Sequence, residues 1–114
     1  MFDFEKLEVY KKAKEFNKKI SIFLKEKNLD RVTNDQLRRA SFSIMLNIAE
    51  GSGRYSKADK RNFYVISRGS SFECVAILDY LMDSEIIEKQ QFDSFYKDLE
   101  EISKMLYALI RTLS

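Results

Sequence analysis

The sequence contains no proline and only three glycines, at positions 51, 53 and 69. These two residue types disfavour helix interiors most strongly, so a 114-residue chain nearly free of them is expected to run in long helices. Four segments carry the matching signal, apolar residues recurring with a period near 3.6. The first, from about residue 4 to residue 26, places Val9, Ala13, Phe16, Ile20 and Phe23 on one stripe. It ends in turn chemistry at Asn28, Asp30, Thr33 and Asn34. The second is expected to start after Thr33 or Asn34 as N-cap and to end at Glu50, with Gly51 in the left-handed position that closes a helix. The third starts after Ser56, where Ser56-Lys57-Ala58-Asp59 forms a capping box with Asp in place of Glu, and continues to about Ser84. The fourth, from about Gln90 to Leu113, is the most regular, with Phe92, Phe95, Leu99, Ile102, Leu106, Leu109 and Leu113 on one face. Short connections between such helices predict an all-α fold, an antiparallel up-down-up-down four-helix bundle forming one domain over residues 1–114.

Composition narrows the chemistry. The chain has no histidine and a single cysteine, Cys74. Ser-His and Cys-His nucleophile pairs, Cys/His zinc sites and the Glu-x-x-His pattern of di-iron bundles therefore cannot be assembled from it, and no cofactor is expected. Cys74, among apolar neighbours on a helix flank, reads as packing rather than as a reactive thiol. No apolar run has the length of a membrane span, and the charged N-terminal stretch has no signal-peptide core, so a cytoplasmic location is expected.

The inner two helices differ from the outer two in having two apolar stripes each. On the second, Leu37, Ala40, Ser41, Ile44 and Ile48 form one stripe and Phe42, Met45, Leu46 and Ala49 the other. On the third, Phe63, Ile66, Ile77, Tyr80 and Leu81 are expected to face inward, with Tyr64, Val75, Leu78 and Met82 opposite. A bundle buries one stripe per helix, and a monomer rarely leaves the other in water. A homo-oligomer packed through Phe42, Met45, Leu46, Tyr64, Val75 and Leu78 is therefore expected, the alternative being a splayed monomer that buries both stripes. On the same reading Glu73 lies inside the bundle, where an unpaired carboxylate is costly. It is expected to join a polar network with Asn47, Glu50 and Asn62 that fixes helix register. The competing role, a catalytic acid or metal ligand, would need a second carboxylate, such as Glu50.

Charge is unevenly spread. Residues 31–68 hold 8 basic and 3 acidic side chains, whereas residues 69–114 hold 4 basic and 9 acidic. Arg54, Lys57, Lys60 and Arg61 cluster at the start of the third helix beside Tyr55, with Arg38, Arg39 and Arg68 a few turns away. Clustered cations bind a nucleic-acid backbone by counterion release without sequence readout, so these seven are the candidate surface. Gly51-Ser52-Gly53 follows a helix and lacks the Gly-Lys-Ser/Thr ending of a P-loop, so it reads as a helix stop. The pairs Glu85/Glu88 and Asp98/Glu101 have the spacing of helical, magnesium-dependent nucleotide hydrolases, a third and weaker reading.

Residues Leu37-Arg38-Arg39-Ala40-Ser41, Ser43-Ile44 and Asn47-Ile48-Ala49-Glu50-Gly51, then Ser56-Lys57 and Phe63, then Gly69-Ser70-Ser71 and Glu73, resemble the bacterial four-helix-bundle family named for the 23S rRNA intervening sequence. That S23-like family includes accessory proteins of diversity-generating retroelements. Phe4, Leu7, Val9, Tyr10 and Ala13 resemble its first helix, with Tyr10 where a tryptophan is often found. The resemblance implies a four-helix bundle assembled as a pentameric barrel, with basic surfaces for RNA, DNA or a reverse transcriptase partner, and no catalytic residues. The chain is thus expected to be a non-catalytic, oligomeric, nucleic-acid-binding module; the alternative is a protein-interaction scaffold whose charges serve only solubility.

Overall fold

A computed structural model describes residues 1–114 and contains four α-helices: α1 (Glu8–Glu26), α2 (Arg31–Ser52), α3 (Lys57–Asp83) and α4 (Lys89–Thr112). They form the expected antiparallel bundle, in which each helix packs on the next and α4 returns to α1. The molecule measures 44 × 24 × 21 Å, its long axis set by the length of α3.

Helix ends follow the capping chemistry, with three departures from expectation. The first helix begins at Glu8, not near residue 4, because extended Leu7 separates it from a 3-10 turn over Asp3–Lys6. That turn folds back on α1 through the Phe4 and Tyr10 rings, whose centroids are 4.7 Å apart. The N-cap of α2 is Asp30 rather than Thr33 or Asn34: its Oδ2 accepts from the Thr33 backbone N–H at 3.2 Å. These hydrogen bonds from Thr33 hold the Asp30 carboxyl below its ordinary value. At the other end, Gly51 is not left-handed; α2 runs through it to Ser52, and no glycine has positive φ. The cap of α3 is as expected, with Ser56 Oγ accepting from the Asp59 N–H at 3.1 Å. After α3 the chain turns through Glu85 at φ 60°, where the Glu85 N–H donates to the Met82 carbonyl and the Ile86 N–H to that of Leu81, the two bonds of a Schellman turn.

The core is built from one stripe per helix. Val9, Ala13, Phe16, Ile20 and Phe23 of α1 are all buried, as are Leu37, Ala40, Ser41, Ile44 and Ile48 of α2 and Phe95, Leu99, Ile102 and Leu106 of α4. Phe95 joins α1 to α4 through edge contacts with the Phe16 and Phe23 rings. At the surface of the same pair, Lys12 meets Glu101 at 2.7 Å and Lys19 meets Asp98 at 2.9 Å; being exposed, these pairs add little stability.

Helix α3 is rotated relative to expectation. Its buried face is Tyr64, Ser67, Ser70, Ser71, Cys74, Leu78 and Leu81, whereas Ile66 and Tyr80 are exposed and Phe63 and Ile77 half-buried. The reason lies in the seam with α2. Ser67 Oγ donates to the Ile44 carbonyl at 2.7 Å, and the Ser43 and Ser70 hydroxyls share a hydrogen bond at 2.8 Å. Helices approach this closely only where side chains are small, so serines, Cys74, Ala40 and Gly51 occupy the contact and larger residues turn outward. Every buried side-chain polar atom is hydrogen-bonded, so the polar seam carries no desolvation penalty from orphaned groups.

Gly51 is needed for that approach: a Cβ there would lie 2.9 Å from Tyr64 Cε1 and 3.0 Å from Phe63 Cβ, the latter fixed to the α3 backbone. Gly69, on the outer face, has nothing within 4 Å of such a Cβ. The two alanine substitutions therefore act in opposite directions. Gly51→Ala lowers unfolding free energy by about 1–3 kcal/mol through overpacking. Gly69→Ala raises it by about 0.5–1 kcal/mol through helix propensity. Urea denaturation followed by circular dichroism reads both; equal effects of the same sign contradict the assigned seam.

Candidate nucleic-acid interface

The seven candidate cations all lie on α2, α3 or the elbow between them, and they differ in what they touch. Arg38 and Arg39 are exposed on α2, roughly 20 Å from the elbow at ~1.5 Å rise per residue. Arg54, just past the end of α2, pairs with Glu50 at 3.3 Å and lies 4.5 Å from the centre of the Phe63 ring. Lys60 donates to the Ser52 carbonyl at 2.8 Å, which places its ammonium on the carbonyl end of α2. Lys57 and Arg61 are exposed on the first turns of α3, and Tyr55 stands fully in solvent between the helices. Arg68 is half-buried between α3 and α4: its Nε donates to the Ser103 carbonyl at 3.3 Å, and its guanidinium lies 4.9 Å from the Phe72 ring and 5.3 Å from that of Tyr107.

Only Arg54 among these seven has a carboxylate partner. Most lysines of α1 contrast with them, since Lys11, Lys12, Lys18 and Lys19 each pair with an acidic group and only Lys14 and Lys25 do not. Internal neutralisation is thus confined largely to the α1/α4 side, and the α2/α3 side presents its positive charge to solvent.

The structure brings cations of α4 into the same region, which sequence inspection by segment misses. Arg111 lies 5.9 Å from the Tyr107 ring, and Lys104 lines a hollow together with Arg68. The signal was the seven-residue spacing of Lys104 and Arg111, which puts both on one helical face, as the same spacing does for Arg61 and Arg68.

The expected polar network is not assembled as proposed. Asn47 Nδ2 donates at 2.9 Å to both the backbone carbonyl and the hydroxyl of Ser43, so it braces the serine seam. Glu50 instead pairs with Arg54, while Asn62 and Glu73 are exposed on the outer face that the rotation of α3 gives them. Glu73 therefore stands in solvent, and the buried placement that suggested a catalytic acid is gone. Of the hydrolase-like pairs, Asp98 and Glu101 are engaged by Lys19 and Lys12, and the Lys12 contact holds the Glu101 carboxyl below its ordinary value. Glu85 and Glu88 are exposed at the α3–α4 turn, and no three metal-ligating side chains converge anywhere in the chain. Cys74 is buried against the seam, and burial pushes its thiol up to about 12, far from the range of a reactive thiolate.

The expected assembly face is altered by the same rotation. Phe42 and Leu46 are exposed and Met45 and Val75 half-buried, but Tyr64 and Leu78 are 5% and 0% exposed and belong to the core of the single chain. Ile66 and Tyr80, 44% and 64% exposed, take their place on the outer surface. The antiparallel register set by the Ile44–Ser67 and Ser43–Ser70 bonds puts Leu46 level with Ile66 across the seam.

With this geometry in hand, comparison with known proteins gives one consistent result. The family described as 23S rRNA-intervening sequence protein matches residues 5–108. The fold is similar to the crystal structure of a protein of unknown function from the S23 ribosomal protein family of Bacteroides thetaiotaomicron VPI-5482. The two are 30% identical and superpose with a TM-score of 0.86 over 90% of this chain and 97% of that one. A comparison with curated proteins finds no match. No helix is long and apolar enough to cross a membrane.

Proposed function

The chain belongs to the family of 23S rRNA-intervening sequence proteins, and from that premise and its charge layout we propose that it is a non-catalytic helical module that binds nucleic acid through the α2/α3 side. The observation that carries this reading is the unpaired state of the cations: the side chains of Arg38, Arg39, Lys57 and Arg61 make no ion pair or hydrogen bond within the chain, whereas four of the six α1 lysines pair with carboxylates. Cations that are already solvated and mobile can replace condensed counterions on a phosphate backbone at little cost. The N-terminus of α3 adds its own positive dipole end beside Lys57.

Binding to structured RNA and duplex DNA, measured by fluorescence anisotropy across a salt series, tests the reading. Affinity falls with salt, and for duplex DNA the slope of log K against log salt is reduced by about 3–4 when Arg38, Arg39, Lys57 and Arg61 are all changed to alanine. Lys60→Ala has a smaller effect, because its ammonium is held on the Ser52 carbonyl. Negligible affinity at about 50 mM salt, or a slope unchanged by the fourfold variant, contradicts nucleic-acid binding and favours a protein scaffold.

The module acts as a homo-oligomer in this reading. Phe42, Leu46, Ile66 and Tyr80 leave large apolar side chains in water on adjoining helices, a surface that assembly covers. An oligomer would also repeat the basic surface and multiply its hold on one polymer. Sedimentation velocity at micromolar concentration shows a species larger than 13.5 kDa, reduced to a monomer by Leu46→Lys with helicity retained. A monomeric parent protein contradicts assembly without touching the binding prediction.

A further inference from the structure

We infer that the groove between α3 and α4 holds an unpaired stretch of nucleic acid, its bases on the Phe72 and Tyr107 rings and its phosphates on Arg61, Arg68, Lys104 and Arg111. The assignment rests on the nucleic-acid reading above and names the form of polymer that this groove would take. Two hollows of about 460 and 390 Å³ run along the α3/α4 surface and meet at Arg68 and Phe72, which line both. Each is within the size range of ligand pockets. Their walls combine two features.

The first is a frame of cations. Arg61 and Arg68 are seven residues apart on α3, and Lys104 and Arg111 seven apart on α4, so each pair lies on one helical face about 10 Å apart. The Arg68–Ser103 hydrogen bond sets the level at which the antiparallel helices meet, with Arg68 beside Lys104 and Arg61 toward Arg111. None of the four has a carboxylate partner within 4.0 Å. The second is a set of exposed aromatic planes inside that frame. Phe72 and Tyr107 are 56% and 50% exposed, although both touch the Arg68 guanidinium. A guanidinium between two rings keeps their orientation fixed while leaving ring surface in water, and cations with ring faces together form the recognition surface for single strands.

A duplex keeps its base faces stacked on each other, so it engages the cations and leaves the rings unused. An acidic peptide likewise satisfies only the charges. An unpaired strand uses both features. In the register of the Arg68–Ser103 bond, Glu100 lies level with Ser71 and Asp79 about two turns further from the elbow; both repel phosphate and confine the strand's backbone to the Arg61 and Arg111 end of the groove. That end is continuous with the elbow cations, so a structured RNA can place a helical segment on Lys57 and a loop in the groove.

The test compares a labelled, unstructured single strand with a duplex of the same sequence at matched salt, using the full chain and the double variant Phe72→Leu, Tyr107→Leu. This variant keeps apolar volume and every cation while removing the ring faces. Single-strand affinity is expected to fall about tenfold or more, with duplex affinity unchanged. Photo-cross-linking of the unaltered protein to the single strand is expected to join the segments that hold Phe72 and Tyr107, a readout that does not depend on the variant folding. Cross-links confined to the elbow, or a single-strand affinity unchanged in a folded double variant, overturn the groove assignment while duplex binding keeps the broader reading. A polyglutamate peptide that binds the parent and is lost in the variant, with single-strand binding intact, also overturns it. Absence of binding to either nucleic acid removes both.

Discussion

The hydrogen bond from the Ser67 hydroxyl to the Ile44 carbonyl, 2.7 Å long, holds the two inner helices together side chain to backbone. For a side chain as short as serine to reach a carbonyl on another helix, the two backbones must run close. Around that bond several of the contacting side chains are then small. Ser70 meets Ser43, Ser71 Oγ turns back to donate to the Arg68 carbonyl, Cys74 fills the next position, and Gly51 lies against the Tyr64 ring. Because α3 spends its central inward positions on small residues, its large ones are displaced to its sides and outer face. The exposed Ile66 and Tyr80, the solvent position of Glu73 and the groove between α3 and α4 all follow from that one close approach.

What was legible in the sequence depends on whether burial tracks side-chain size. On α1 and α4 it does: the stripe through Val9, Ala13, Phe16, Ile20 and Phe23, and that through Phe95, Leu99, Ile102 and Leu106, are large apolar residues on one face of otherwise charged helices. Periodicity finds them because the hydrophobic effect alone places them. On α3 the rule inverts. A wheel weighted by hydrophobicity ranks Ile66 and Tyr80 above Ser67 and Ser71, yet it is the serines that are buried, since a hydroxyl that satisfies itself on a backbone carbonyl removes the usual penalty. The helix end at Gly51 was misplaced for a related reason. The glycine is there for a close approach between helices rather than for a left-handed turn, and composition does not distinguish the two.

The candidate surface shows the same division. That residues 31–68 are basic is plain from counting, and the family match over residues 5–108 agrees with the block of residues that suggested it. Which cations are free is not a property of the segment. Glu50 takes Arg54, a carbonyl of α2 takes Lys60, and Arg68 finds Ser103 on a helix 35 positions later. Pairing on the α1/α4 surface leaves the opposite side charged, an asymmetry to which the fourth helix contributes by bringing Asp98 and Glu101 to Lys19 and Lys12. Residues 69–114 are acidic overall, yet they contribute Lys104 and Arg111 to the basic groove because helical spacing sorts charges by face, not by segment.

The rotation of α3 is the claim on which the surface, the groove and the assembly face all rest, and Cys74 reports it. Its thiol is 0% exposed against the serine seam, with burial raising its pKa to about 12. The direct measurement is the rate of Cys74 labelling by a thiol reagent as a function of urea. In the arrangement described here, labelling requires the seam to open, so the free energy of exposure equals that of global unfolding and falls with the same urea dependence. Labelling at a rate independent of urea well below the unfolding midpoint would place Cys74 on an exposed flank and contradict the seam.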